Sequence, residues 1–594
     1  MDKNRESCAP SDNVVAATAK KSSLASICKL DTFTQFNPFP SSRNKSKSKS
    51  VSSCDIRMGN PNPEDVTLTT GAIKRKKKSF EIFHWKFILL SVLFVFGLCG
   101  TTIMWFTTIY HDEIFKTLTL GNGTKLHVAW KNPPLKPLLC VHIFNYTNVH
   151  EYFSDDNKDG ENKGKIKLKV KDTGPYCFRE EIERTNIVFL NNGTSLSYNE
   201  RRIHTFDVEA SKGSLNDTVY VPNVLILSLY KAVRDSLRII RTPSYMLVKD
   251  AEVIKKVNVS DYLFGYEDGT FSVITGLKSF FSSSPKKIPK RFGVLMKRTG
   301  LSNDTIVIRT GDGALDEMGQ VTEINNITDF EAWKSASCDL VSGSDGLFFK
   351  RSAVQNHRDV QLFHKDSCRT LPLTYESTVD VGSGIMANRY KLRSDIFDYS
   401  RRENSCFCNI SKSCERVGVL DISTCSAVSE APMVISRPHF LDSNANLDEN
   451  NEPIIEGFEP DIAKHDFRID IFPPIGLTVR TLMRMQLNIM VNNPENDAEG
   501  LRPFNDKTIL PIVWVEMNSG EVPEKMFSLL YHLTYTMRWA ELALKLIFVV
   551  FTFLMAFLLF KISFVKSSTK KDFVLISKKR KSNGNMINSV YVPS

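Results

Sequence analysis

At 594 residues the chain has room for several domains, or for one large domain plus appendages, and with 42% hydrophobic and 24% charged residues and twelve cysteines it has the composition of a folded protein. The cysteines are too dilute for a disulfide-dense mini-protein. The formal charge of +11 belongs to the ends: residues 1–86 carry +8 and residues 561–594 carry +7, which leaves the stretch between near −4. That distribution speaks against a basic nucleic-acid-binding face.

The first 86 residues are rich in Ser, Lys and Asn, with "SSRNKSKSKSVSS" at their centre. Such a segment buries too little apolar surface to offset the entropy of ordering, and is expected to be a disordered tail. Cys8, Cys28 and Cys54 lie in it. After "KRKKK" (74–78) comes "FILLSVLFVFGLCGTTIMWFTTIY" (87–110), 24 positions without a charge. As a helix this rises about 36 Å, enough to cross a hydrocarbon core of about 30 Å. A cleaved signal peptide would begin near residue 1 instead. A second apolar run, "LIFVVFTFLMAFLLF" (546–560), is flanked by Lys545 and Lys561 and extends a span over 545–565. The basic tail 566–594 follows it. By the positive-inside rule both termini are cytoplasmic, and residues 111–544 form an extracellular or luminal domain.

That domain reads as mostly β. "KIKLKVK" (165–171), "TIVIRTG" (305–311), "FRIDIF" (467–472) and "MQLNIMV" (485–491) show the two-residue alternation of strands. Residues 223–261 instead carry helical apolar spacing broken at Pro243, which predicts a helical cluster set into the β domain. Sequons for N-glycosylation stand at Asn122, Asn145, Asn192, Asn216, Asn258, Asn303, Asn326 and Asn409, all between the two runs. Cys99 lies in the first run. Eight cysteines remain for the domain: Cys140, Cys177, Cys338, Cys368, Cys406, Cys408, Cys414 and Cys425. An even number in an oxidising space favours disulfides, while Cys-x-Cys suits neither a zinc site nor a Cys-x-x-Cys redox pair. Spacing alone does not choose the connectivity.

Catalysis finds no support. The chain has no His-Glu-x-x-His, nucleophile elbow or P-loop, and "TGDGALDEMG" (310–319) lacks the Lys-Ser/Thr of a phosphate cradle and reads as a turn. His204, His364, His439 and His465 are scattered, with His439 expected to be a packed structural residue. No cofactor or metal is implied.

A set of motifs in fixed order carries a family resemblance: "VNVSDYLFGYEDG" (257–269), "FEAWKSASCDLVSGSDG" (330–346), "DSCRTLPLTYE" (366–376), "CFCNISKSC" (406–414), "GVLDISTC" (418–425), "SRPHFLD" (436–442) and "IEGFEPDIAKHDFRIDIFPPIGLTVRTLMRMQLNIMV" (455–491). Over residues 80–565 the chain resembles the class B scavenger receptors. The resemblance implies an α+β membrane protein: two transmembrane helices flanking a large β-barrel-like ectodomain, with a helical apical cap and an apolar tunnel leading toward the bilayer. It implies the pairs Cys338–Cys406, Cys368–Cys425 and Cys408–Cys414, the last a small loop around Asn409, expected to be the least occupied sequon. Cys140 and Cys177, in strand-like stretches outside the common set, are candidates for a fourth bridge.

The partners so implied are lipids, fatty acids, sterols or lipoprotein particles, with a homo-oligomer an open option and nucleic acid not expected. The cap segment carries Lys231, Arg234, Arg238, Arg241, Lys249, Lys255 and Lys256 against Asp235, Asp250, Glu252 and Asp261. Lys249, Lys255 and Lys256 align loosely with the family's ligand-docking helix. The chain departs from the family pattern in its long N-terminal tail, in "LFFKRS" after "GSDG", and in "IFPPIG". The expected residence is the plasma membrane. An endosomal or lysosomal membrane is the alternative, with an acidic-dileucine look at Asp572, Leu575 and Ile576. A two-span channel subunit is disfavoured because the second run lacks a Gly/Ser-x-Ser constriction.

Overall fold

A computed structural model describes the backbone of residues 64–154, 166–234, 245–246, 248–272, 291–408, 416–425, 431–493 and 498–584, with side chains described between 84 and 564. The expected tail up to residue 63, Cys414, Asn409 and the middle of the cap segment lie outside these residues. The chain divides into two units, Met1–Glu81 and Ile82–Ser594. Everything that follows concerns the second.

Two helices are long and apolar enough to cross a membrane. Among the described residues the candidate spans are His84–Phe106 and Glu524–Phe564. The first stops four residues short of the expected boundary at Tyr110. Thr107 turns its hydroxyl back onto the Ile103 carbonyl (2.6 Å), and the Thr108 hydroxyl donates to Asp112 of a new helix, Ile109–Lys116. Hydroxyls that bond the neighbouring backbone or first turn compete with continuation of a helix.

The two span helices meet through small residues. A Cβ built on Gly100 would lie 2.3 Å from the Phe548 ring, and one on Gly97 would lie 2.8 Å from Thr552 Oγ1. Thr101 and Thr552 hydroxyls are 3.2 Å apart. Close backbone approach of this kind is how helices associate in lipid, where no hydrophobic drive between them exists. Gly100→Leu is therefore expected to part them. In a Cys99→Ser background, oxidative cross-linking of Thr101→Cys to Thr552→Cys should proceed with Gly100 in place and fall several-fold once Gly100→Leu is added.

Between the spans a single sheet dominates. Its main strands are β1 (Leu138–Tyr146), β2 (Leu168–Leu190), β3 (Ser195–Phe206), β4 (Ile306–Arg309), β5 (Val321–Ile324), β6 (Val360–His364), β7 (Arg369–Asp380), β8 (Met386–Leu392), β9 (Arg468–Phe472), β10 (Leu477–Met490) and β11 (Ile509–Asn518). Their order is β5-β4-β3-β2-β1-β11-β10-β9-β8-β7-β6, and every pair along it is antiparallel. The chain thus winds outward from β1 to one edge and returns from the other edge to β11, which pairs with β1 from Leu138↔Asn518 to Ile143↔Val513.

The two edges are bridged by Gly343–Asp345. On one side Val321 N–H donates to Gly343 O (2.8 Å) and Asp345 N–H to Gly319 O (3.0 Å). On the other, Ser344 N–H donates to Gln361 O (2.8 Å) and Phe363 N–H to Ser344 O (2.9 Å). The "GSDG" motif therefore nearly closes the sheet into a barrel, removing two edges that would otherwise invite foreign strands. Gly343 holds φ at +106°, and a Cβ there would crowd Gln361 O at 3.2 Å, so only glycine suits the position.

Two large buried apolar clusters share the strands. β10 gives Leu477 and Val479 to a buried cluster with Phe115, Trp130 and Leu530 near the span helices. Its far end gives Ile489 to a second cluster with Phe144, Leu371 and Leu373. β8 divides in the same way, Ala387 in the first cluster, Tyr390 and Leu392 in the second.

Candidate functional site: the apical cleft

β1 sets the polarity of the barrel. Its Leu138 end lies beside Asn518, which leads to the C-terminal span. Its Tyr146 end lies roughly 27 Å away at strand rise, where the Asn145 carboxamide oxygen accepts from Tyr220 N–H (2.8 Å). Tyr220 belongs to a hairpin of Thr218–Pro222 with Ile254–Asn258, paired Thr218↔Asn258, Tyr220↔Lys256 and Val221↔Lys255. This hairpin is the far end of the domain, the cap.

The cap differs from the expected helical cluster over 223–261 in containing a strand. A helix occupies Val224–Arg234, then a strand Ile254–Asn258, then a short helix Val259–Phe264. The Val224–Arg234 helix is buried on all sides over Val224–Tyr230, as its unbroken "VLILSLY" requires. It is core, and the exposed surface of this end is carried by the two-stranded ribbon and the turn after Val259–Phe264.

There the structure has a cleft of about 490 Å³ lined by Thr218, Lys255, Lys256, Val257, Asn258, Asp261, Gly265, Tyr266 and Glu267. Lys255 Nζ lies 2.8 Å from Asp268 Oδ2, which also accepts from Asn223 (3.0 Å). Burial raises the Asp268 carboxyl, but hydrogen bonds from Lys255, Phe271 N–H and Asn223 outweigh it and hold the group below the usual carboxylate range. Lys256 is exposed, its Nζ 5.8 Å from the Tyr220 ring centroid. Facing the lysines are Asp261 and Glu267, the latter 3.6 Å from Arg291. Lys249 is exposed but does not line the cleft.

Of the three lysines, then, Lys255 is spent on an internal ion pair, Lys256 is presented to the cleft, and Lys249 stands outside it. The lining offers cations beside carboxylates and few apolar atoms. It suits a polar or zwitterionic group and gives no bed for an acyl chain. Tyr266, Asp268 and Arg291 carry no recognisable signal in isolation, although Tyr266 and Asp268 lie within "VNVSDYLFGYEDG". Among the described residues no group of three or more His, Cys, Asp or Glu is arranged to hold a metal ion.

Three disulfides brace the barrel: Cys140–Cys177 directly across β1 and β2, Cys338–Cys406, and Cys368–Cys425. Cys408 is also disulfide-bonded, and Cys414 lies outside the described residues. Residues 88–563 match the CD36 family. The chain belongs to the CD36 family. Lysosome membrane protein 2 of Mus musculus is 28% identical over 389 residues, 65% of this chain and 76% of the relative. Scavenger receptor class B member 1 of Rattus norvegicus is 25% identical over 436 residues (72% and 79%), and sensory neuron membrane protein 1 of Mamestra brassicae 27% over 444 (71% and 79%). The protein is a class B scavenger receptor-like membrane protein.

In this CD36-family chain the sequons differ in context. Asn122, Asn192, Asn216, Asn258, Asn303 and Asn326 are exposed, whereas Asn145 is half-buried with its carboxamide bonded to Tyr220. A second cluster lies on the barrel flank. Asp172 of β2 accepts from Trp514 Nε1 (3.0 Å), pairs with His439 Nε2 (3.3 Å) and lies 3.5 Å from His142 Nδ1. His439 stacks on His465 at 4.3 Å and His142 on Trp514 at 3.7 Å. His439 is packed, its Nδ1 accepting from Glu459 N–H (3.1 Å), so the cluster is structural.

Proposed function

We propose that this protein is a receptor, not an enzyme, that meets lipids or lipid-bearing particles at its cap and passes lipid through the barrel to the membrane. The observation that supports the reading is a pair of buried apolar clusters, one holding cap residues and the other residues beside the span helices, with β8 and β10 contributing to both. A lipid moving from a carrier to a bilayer loses about 0.8 kcal/mol for each methylene it exposes to water. An enclosed apolar path removes that barrier without covalent chemistry. The named relative "Scavenger receptor class B member 1" agrees with a receptor role. The two candidate spans and their basic flanks support a topology with both termini cytoplasmic, and the proposed residence is the plasma membrane.

The test is expression in cells given labelled fatty acid or cholesteryl ester, with surface biotinylation in parallel. Surface display with uptake above mock cells is expected, and surface display without uptake would sink the reading. The similarity to lysosome membrane protein 2 supports a second reading, residence in endosomes or lysosomes. Absence from the biotinylated fraction, with retention in an acidic compartment, would favour that one.

A further inference from the structure

Six exposed sequon asparagines have the same acceptor chemistry, but Asn258 alone lines the apical cleft. Its backbone is extended (φ −75°, ψ 148°), and its carboxamide makes no capping hydrogen bond to the Val259–Phe264 helix. An exposed Asn with an uncommitted amide nitrogen leaves room for a glycan on the folded domain. Asn145 is the contrast, its carboxamide tied to the Tyr220 backbone. The cleft rim is also fixed in place around Asn258. Val259 N–H donates to Asp217 O and Ser260 N–H to Leu215 O, both at 2.9 Å. That brings the exposed sequon Asn216 onto the same rim, since Thr218, two residues on, pairs with Asn258.

We propose that Asn258 carries an N-glycan that roofs the apical cleft, so that its occupancy limits access to Lys256. The first sugar leaves from a lining residue, two positions along the strand from Lys256. It therefore starts within the cleft and shields the lysine there that is not already paired. Glycans at Asn122, Asn192, Asn303 and Asn326 start elsewhere and leave the cleft open. The proposal rests on the reading that the cap faces the lumen or cell exterior, and it makes the cleft a site whose docking of polar or zwitterionic groups is regulated by modification.

The experiment uses the full-length protein from mammalian cells and needs no lipid. Glycopeptide mapping should find Asn258 occupied. Amine-reactive labelling read by mass spectrometry should then show Lys256 slow in the native protein and several-fold faster after enzymatic deglycosylation, with Lys249 unchanged. Because deglycosylation leaves an aspartate beside Lys256, Ser260→Ala provides an independent removal of the glycan. It should reproduce the faster labelling, while Ser260→Thr, which keeps the sequon, should not. An unoccupied Asn258, or Lys256 labelling equally with and without the glycan, would overturn the proposal. Neither readout involves lipid uptake, so its failure is distinct from a failure of the receptor reading.

Discussion

Arg437→Ala should destabilise the protein by about 3–5 kcal/mol, the loss expected when one partner of a buried ion pair is removed and the other is stranded. Arg437 is 5% exposed and Asp466 is 4% exposed. The guanidinium donates to Asp466 Oδ1 at 2.6 Å and to Asp442 through its other terminal nitrogen. From Arg437 to Asp442 runs a strip in uncommon backbone: His439, Phe440 and Asp442 hold φ at +53°, +56° and +56°. Each such residue costs on the order of 1–3 kcal/mol and persists only where its surroundings over-determine it. Arg437 supplies that determination together with Gln486, whose Oε1 accepts from His439 N–H at 2.7 Å.

The strip is placed where its loss would be felt. Phe144 of β1 meets His439 and Phe458 edge-to-face at 5.4 and 5.5 Å, and Trp514 of β11 meets His465 at 5.4 Å. Residues 437–466 are thus packed onto the central strands of the barrel. Thermal unfolding of detergent-solubilised protein at one scan rate reports the effect as an apparent midpoint. Arg437→Ala should lower it by many degrees, whereas Arg437→Met with Asp466→Asn, which leaves no buried charge stranded since Asp442 is exposed, should recover much of the loss. An Arg437→Ala midpoint equal to wild type would show that the ion pair does not hold the strip.

Sequence patterns revealed some of this architecture and concealed other parts for physical reasons. The span helices were legible because a hydrocarbon core demands an uninterrupted apolar run, whatever else the chain does. β9 and the end of β10 were legible from alternation, because their apolar residues alternate with Asp470, Gln486 and Asn488, which are buried in ion pairs and hydrogen bonds. The pairing of β1 with β11 was not, because nothing local to residue 138 refers to residue 518.

The cap shows both sides. Helical spacing held over Val224–Arg234, but "VLILSLY" is apolar on every side, a mark of burial that the lysines nearby obscured. At Ile254–Asn258 the helical reading gave way to a strand paired with Thr218–Pro222, a tertiary choice. The cleft was half legible: Val257, Asn258, Asp261, Gly265, Tyr266 and Glu267 come from one contiguous motif, while Thr218 comes from forty residues earlier. That Lys255 is neutralised by Asp268 depends on a fold contact across thirteen residues, which charge counting along the chain does not reveal.

Acidification should loosen the same strip, and His465 gives the window. Burial first, and then the stacked His439, push the His465 imidazole down from its ordinary 6.5 to about 4. A folded value below the unfolded one means that the unfolded chain takes the proton first. The stabilisation is therefore complete above about pH 6.5 and is lost as the pH falls toward 4. A shift of this size corresponds to roughly 3 kcal/mol. The groups facing the ring are His439, Asp172, Asp461 and Arg484. Asp172 titrates outside the window: burial alone would raise its carboxyl, but hydrogen bonds from His142, His439 and Trp514 reverse that and hold it well below the ordinary range, so its own contribution goes only at lower pH. His364 and His127, also lowered by burial, add losses of the same sign elsewhere in the barrel. His465→Asn preserves an acceptor for Asp461 N–H, which now bonds His465 Nδ1 at 3.0 Å, but cannot take the proton. The fall in unfolding midpoint between pH 7 and pH 4.5 should be smaller in this variant than in wild type, with the remainder left to the other histidines. An undiminished fall would exclude His465 as a source. A strip held at the pH of the cell surface and weakened at that of an endosome also bears on residence, because it makes the two proposed locations structurally unequal for this barrel.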